Sequence, residues 1–495
     1  MNAPALRSSL VALALGAGLL RALAQNASIS VPPAPIPPPA PAPGAKPSSF
    51  EEFLNDTKKP AQWLTFGGDM RIRDEYYDNI VSLTENNPLS EQNVIRFRGR
   101  FWTSVMPVTN VSVNARLAAE PRLWTKPSFV GAYRNESGME WRYGMVDNLN
   151  LKWANVLDQP LTITAGRQDI LFGDYWNWWL VADGTPGDGS WSYFLDSARV
   201  TYDAKNLKTK FDAVYINQRA RPDDWMPTLD NSSSYNLTEQ NEQGVILYGA
   251  NRSIKGLGID GYFIYKGDDQ EFANGDHANI YTLGARFIGD PGVHWHYTVE
   301  GAYQFGEKMD PMVRTPVNVG REWRDLNAFG GNASLDYLFK DSLNNQAHLV
   351  FEYLSGDDPD TPGQDEMFDV LWGRWPRWSE LYIYSYINET GGKVAQLNNV
   401  MRAGGGWTFS PQKNTQLGLY YNALFAPQEV PTRTINAALF SQEGNFRGHY
   451  LQAVLNHTFS KHAQGHLWAE FIWQDDFYTS RDLLTFLRAE MMFTF

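Results

Sequence analysis

"NVIRFRGRFW", residues 93–102, alternates without a slip. Ile95, Phe97, Gly99 and Phe101 share one parity; Arg96, Arg98, Arg100 and Trp102 share the other. A period of two is the signature of a β-strand, whose successive side chains point to opposite faces. Charges on one isolated strand ordinarily face water. Here the pattern recurs. Arg71 and Arg73 alternate with Met70 and Ile72. Arg116 lies between Ala115 and Leu117, Arg199 between Ala198 and Val200, Arg286 between Ala285 and Phe287, and Arg402 between Met401 and Ala403. Arg167, in "AGRQD", follows a strand of the same kind. The question is where so many apolar faces go.

Composition narrows the answer. The chain has 495 residues, a formal net charge of −13 and no cysteine. A disulfide framework and thiolate chemistry are therefore excluded, and a general nucleic-acid binder is disfavoured. A mean hydropathy of −0.41 rules out a bundle of membrane helices. It is compatible with a membrane barrel, which averages a polar lumen with an apolar exterior. Residues 1–24 read as a signal peptide: Arg7, the apolar run "LVALALGAGLL" and the small residues "ALA" before Gln25. Residues 25–62 read as a periplasmic spacer, because "VPPAPIPPPAPAPGAKP" favours extended polyproline II. Residues 63–495 then form one folded unit.

From Trp63 onward the connections alternate between short and long. The short ones are "PVTN" (107–110), "VLDQP" (156–160), "AKNL" (204–207), "KGLG" (255–258), "GDPG" (289–292), "KDSLNN" (340–345), "SPQKN" (410–414) and "SKHAQ" (460–464). The long ones are about 78–92, 123–140, 172–192, 219–242, 267–278, 307–322, 355–396, 427–445 and 475–483. Eight turns and nine loops predict about eighteen strands, all-β and antiparallel, with both ends on the short-turn side. This asymmetry belongs to outer-membrane barrels, with short periplasmic turns and long external loops. An even count closes the sheet and removes its edges, as hydrocarbon requires. The C-terminal "LTFLRAEMMFTF" puts Leu487, Ala489, Met491, Phe493 and Phe495 on one face and Arg488, Glu490 and Thr494 on the other. Such an end resembles the signal read by the barrel-insertion machinery. Trp102, Trp153, Trp176, Trp178, Trp179 and Trp473 near strand ends suit interfacial girdles.

With the apolar face toward lipid, the arginines point into a pore. Arg71, Arg73, Arg96, Arg98, Arg100, Arg116, Arg167, Arg199, Arg286 and Arg402 are the expected anion-binding residues. Glu300, Gln304, Glu352 and Glu470 share the lumen register. Arginine offers a planar fork that pairs with carboxylate and stays charged, and rings of it make pores favour anions. The competing reading is that these arginines pair with acids across strands and only stiffen the wall. Against it, Asp69 is the sole acid expected on the lumen faces of the first two strands. Much of the acidic excess lies in loops, in "GDDPDTPGQDE" (356–366) and at Asp223, Asp224, Glu239 and Glu242.

The chain resembles the alginate export family of bacterial outer-membrane barrels. The similar stretches are "ITAGRQDILFGD" (163–174), "FLDSARVTYD" (194–203), "YTLGARFIGD" (281–290), "YTVEGAYQFG" (297–306), "FEYLSGDDPD" (351–360) with "MFDVLWGRW" (367–375), and "HTFSKH" (457–462). The resemblance implies an eighteen-stranded barrel with an electropositive constriction through which an anionic polysaccharide leaves the cell. One departure matters. Family members carry a long periplasmic turn before the final strand pair that plugs the pore, whereas here that turn is only "SKHAQ". Gating then falls to outer loops such as 172–192 or 355–396.

Other constellations are weaker. His294 and His296 share a strand face but lack a third metal ligand. His348 and Ser355 are the pair a barrel lipase needs, with nothing to set their geometry. Residues 355–366 carry carboxylates for Ca²⁺ without a known loop spacing. The expectation is a passive outer-membrane channel for alginate-like polysaccharide or related anions, not an enzyme, with no cofactor or metal. Its partners are outer-membrane lipid, the insertion machinery through Phe495 and an anionic cargo, with room for periplasmic export partners and no nucleic acid. A porin for small anions, a barrel lipase and a soluble secreted β-protein are the alternatives.

Overall fold

A computed structural model describes residues 49–87, 90–126, 138–141, 144–172, 193–229, 236–314, 322–373, 378–393, 396–434 and 436–495. The signal peptide, the proline-rich run, Trp176, Trp178, Trp179 and the loop 173–192 lie outside them.

Eighteen strands form one antiparallel barrel. They are β1 (Leu64–Asp78), β2 (Glu91–Val108), β3 (Val111–Ala119), β4 (Gly144–Trp153), β5 (Leu161–Gln168) and β6 (Leu195–Ala204). Then come β7 (Thr209–Gln218), β8 (Gln240–Ile254), β9 (Leu257–Gln270), β10 (His277–Gly289), β11 (Trp295–Met309) and β12 (Arg324–Leu338). The last are β13 (Gln346–Leu354), β14 (Val400–Gln412), β15 (Thr415–Phe425), β16 (Phe446–Ser460), β17 (Ala463–Gln474) and β18 (Leu483–Thr494). β18 pairs back onto β1, from Asp69↔Thr494 to Asp78↔Thr485, so the sheet has no open edge. Among the described residues no helix is long and apolar enough to cross a membrane.

The eight short turns stand where the sequence puts them, at one end of the barrel. Asn110 (φ 67°) and Gly256 (φ 75°) supply the left-handed residues that close two of them. One long connection is shorter than expected, because β9 runs to Gln270 and β10 begins at His277. Glu242, expected in a loop, belongs to β8. Within the expected spacer, Ser49–Lys58 forms a helix, α1. Its Glu51 meets Lys461 of the β16–β17 turn at 2.8 Å, which holds the helix at the short-turn end.

Burial alternates residue by residue along strands such as β7 and β11. The outward face is apolar and exposed, with Leu349 at 62% and Leu467 at 56%, as a lipid-facing wall requires. Trp153 and Trp473 face outward near strand ends. Trp102 does not: its indole lies over inward-facing Gly67, where a Cβ would sit 2.3 Å from Nε1. Phe495 packs on outward-facing Gly68 and donates its N–H to the Gly68 carbonyl at 3.0 Å.

Candidate functional site

Nine of the ten expected arginines are on inward parity; Arg167, just past Gly166 (φ 121°), stands in register opposite outward-facing Leu149 yet is buried, and each of the ten has an acidic partner. Register places Arg71 opposite Arg98 and Arg73 opposite Arg96 across β1–β2. Like charges directly opposite repel, so carboxylates are interleaved. Glu75 accepts from Arg96 at 3.1 Å, from Arg488 at 2.7 Å, and lies 3.9 Å from Arg73. Glu490 of β18 accepts from Arg73 and lies 3.9 Å from Arg71. Asp69 pairs with Arg100 (2.9 Å) and Arg98 (3.6 Å). Asp69 is therefore not the sole acid on these faces. Glu75 shares its parity three repeats farther along β1, and Glu490 arrives across the closing seam. Guanidiniums (Arg71, Arg73, Arg96, Arg98, Arg100, Arg488) still outnumber carboxylates (Asp69, Glu75, Glu490) on the inward faces of β18, β1 and β2.

The other arginines follow the same rule. Arg116 bonds Asp147 (2.8 Å) and both oxygens of Asp169 (2.8 and 2.9 Å). Arg167 bonds Asp196 in a fork (2.9 and 3.1 Å) between the rings of Phe194 and Trp225. Arg199 bonds Asp212 (2.8 Å) with its guanidinium over Phe172. Arg286 is 3.4 Å from Asp260, and Arg402 is 3.1 Å from Glu352. From β9 to β14, Asp260, Arg286, Glu300, Asn332, Glu352 and Arg402 stand directly opposite one another in turn, a lateral polar belt in which Asn332 separates two acids. Most of these groups are nearly sealed. Arg100, Arg116 and Arg199 keep 13%, 13% and 20% of their side-chain surface accessible.

The loop between β13 and β14 seals much of the rest. Its described residues turn into the barrel, where α2 (Leu381–Ser385) lies with Trp372, Leu381 and Tyr382 buried. On one side, the Asp369 carbonyl accepts from Gln304 of β11 (2.7 Å), and Trp372 crowds Gly244 of β8. On the other, Glu470 of β17 accepts from the Ser379 hydroxyl (2.6 Å) and the Glu380 and Leu381 N–H groups (2.9 and 2.8 Å). Tyr384 lies edge-on to Tyr77 and 3.3 Å from Arg96. The loop thus contacts β1 and β2, β16 to β18, and β8, β9 and β11.

The loop acids meet wall cations that sequence reasoning did not single out as a set. Asp369 lies 3.7 Å from Lys266 and 3.3 Å from Lys308. Glu380 lies 2.8 Å from Arg488, and Glu389 forks with Arg447 at 2.6 and 2.7 Å. Asp357 and Asp365 share Arg324, at 2.9 and 2.7 Å. Burial opposes the charge on Asp369, yet Lys266 and Lys308 outweigh it and hold its carboxyl well below the usual range. Burial and the neighbouring Asp365 push Asp357 up to about 7 against the pull of Arg324. Parity along β9, β11, β16 and β18 was the available signal for the wall cations; nothing local announces the loop's side.

The weaker constellations resolve differently. His348 pairs with Asp336 (2.7 Å) and Thr408 (2.9 Å), not with Ser355, whose hydroxyl accepts from the Phe329 N–H. His294 contacts the Leu338 carbonyl and His296 contacts Asp290. Asp357 and Asp365 of the 355–366 stretch are taken by Arg324. Among the described residues the acids that converge are Asp268, Asp276 and Asp369, with oxygens within 4.8 Å of one another. The ammonium groups of Lys266, Lys308 and Lys393 stand among them at 2.6–3.7 Å, in the positions cations would take.

A family model described as alginate export matches residues 62–485. No curated protein matches the sequence. Among solved structures, the crystal structure of Pseudomonas aeruginosa OccK8 (OprE) superposes with a TM-score of 0.53 at 11% identity, over 88% of this chain and 99% of that one. Acinetobacter baumannii OccAB2 superposes with a TM-score of 0.52 at 10% identity, over 87% and 98%. At such identities the likeness speaks for the fold alone.

Proposed function

The chain belongs to the alginate export family, and from that membership we propose that this channel of the bacterial outer membrane passively conducts an alginate-like anionic polysaccharide or related anions outward. The observation that carries the reading is the set Arg100, Arg116 and Arg199. These guanidiniums sit on β2, β3 and β6, face inward, and keep accessible surface beside their carboxylate partners. A guanidinium has five N–H donors, so Arg100 and Arg199, each bound to one carboxylate, and Arg116, bound to two, keep donors for another. The excess of guanidinium over carboxylate around β1 adds a positive field that concentrates anions in a low-dielectric passage. The role is transport rather than catalysis, a reading supported by the family and the barrel fold.

The test is reversal potential across planar bilayers in a salt gradient, for wild type and Arg100→Ala/Arg116→Ala/Arg199→Ala. Anion selectivity that falls in the variant, with current blocked by oligoalginate, supports the reading. Selectivity indifferent to the substitutions refutes it. A second reading, a porin for small anions, is favoured by the inward loop, which narrows the passage. It predicts anion selectivity without block by oligoalginate.

A further inference from the structure

We infer that the β13–β14 loop is an internal stand-in for the cargo: its carboxylates occupy carboxylate-binding sites on the barrel wall, and a polyuronate competes with the loop for them. The inference rests on the anionic-cargo reading above and adds its regulation.

Polarity is the first observation. At four places where loop and wall meet, the wall supplies the cation and the loop the acid. Arg324 holds Asp357 and Asp365. Lys266 and Lys308 hold Asp369. Arg488 holds Glu380, and Arg447 holds Glu389. Arg324 and Arg447 are the clearest, because the acids they bond all come from the loop. Among the described residues, two contacts run the other way. Lys393 of the loop meets Asp276, which lies between strands, and wall Glu470 caps the start of α2.

Energetics is the second. A buried ion pair holds a fixed element no better than apolar packing of the same size, while one partner left bare is strongly destabilising. A loop that served only as a rigid filler gains nothing from four ionic contacts. An exchangeable occupant does. When a uronate carboxylate replaces a loop carboxylate, the wall cation stays paired, so the loop can leave without exposing a bare buried charge. The arrangement also explains how a chain of net charge −13 carries a cationic wall: part of the acidic excess is the loop that covers it.

The experiment uses the full-length protein, wild type and Glu380→Gln/Glu389→Gln, with heat-modifiable gel migration to verify a folded barrel. Planar-bilayer current is titrated with oligomannuronate and, as a neutral control, maltohexaose. The half-blocking concentration of oligomannuronate is expected to fall about tenfold in the loop variant, the effect of removing a competitor worth one decade in affinity. In wild type, oligomannuronate is expected to raise hydrogen exchange within residues 378–393, and maltohexaose is not. An unchanged half-blocking concentration in the folded variant, or unchanged exchange in wild type, overturns the competition and leaves the conduit reading standing. A wild type that is neither anion-selective nor blocked by oligomannuronate overturns the conduit reading itself.

Discussion

Glu75→Gln tests the ionic seam where the barrel closes. The Glu75 side chain is fully buried and its carboxylate lies 2.7 Å from Arg488, 3.1 Å from Arg96 and 3.9 Å from Arg73. At an effective dielectric of about 20, each contact at such distances is worth roughly 4–6 kcal/mol of gross attraction. Much of that is offset by desolvation already incurred, and breaking a buried pair costs about 3–5 kcal/mol net. Arg73 keeps Glu490 and Arg488 keeps Glu380, so the loss should stay within that range, at about 4 kcal/mol. Urea unfolding from lipid vesicles, with the slope unchanged, reads this directly. Adding Arg488→Met should recover part of the loss, because the double change removes the bare charge. The same Glu75→Gln channel should be more anion-selective, since one negative charge leaves the positive patch. A loss below about 1 kcal/mol would mean that the seam is hydrated and that burial in the structure overstates its ionic character.

Loop docking should depend on pH. Asp357 holds its proton up to about 7, above the ordinary carboxyl value of about 3.9 in the unfolded chain. The docked loop binds that proton more tightly, so docking is strongest below about pH 4 and weakens as pH rises through about 7. Hydrogen exchange of residues 355–373 should be faster at alkaline than at acidic pH after correction for intrinsic rates, and Asp357→Asn should flatten the difference; equal protection across the range would contradict it. Glu470→Ala removes an acceptor shared by the Ser379 hydroxyl and the Glu380 and Leu381 N–H groups. It should destabilise the docked α2 by about 2 kcal/mol, seen as proteolysis within the loop of an intact barrel. Leu349→Arg, on the outward face of β13, should cost about 2–4 kcal/mol in vesicle unfolding. A neutral effect there would place Leu349 outside the hydrocarbon band.

The closed barrel was legible because its signals are local. Parity in "NVIRFRGRFW" and around Arg71 and Arg73 separates two faces within a single strand. Short turns alternate with long loops because only hairpin chemistry closes a two- to six-residue connection. Even the C-terminal stripe ending in Phe495 can be read within twelve residues. Partnership could not be read this way. Arg73 and Glu490 are 417 positions apart and meet only because β18 closes onto β1 in one particular register. Glu75 already lies on the parity of Asp69, Arg71 and Arg73 within the expected strand, but only the register of β18 and β2 shows that it is shared by Arg96 and Arg488. Trp102 carries the parity of its arginine neighbours and covers an inward glycine, although its position near a strand end suggested the membrane interface. Above all, the acidic loop after β13 has no periodic pattern to orient it. Which way it turns follows from the volume inside a barrel of this size and from the cations waiting on Arg324, Lys308, Arg447 and Arg488. The sequence by itself determined the strands and their faces, since these depend on neighbours two residues apart. Only the tertiary structure decided which charges are paired and which stay accessible, because pairing depends on register and enclosure, which belong to the closed sheet as a whole.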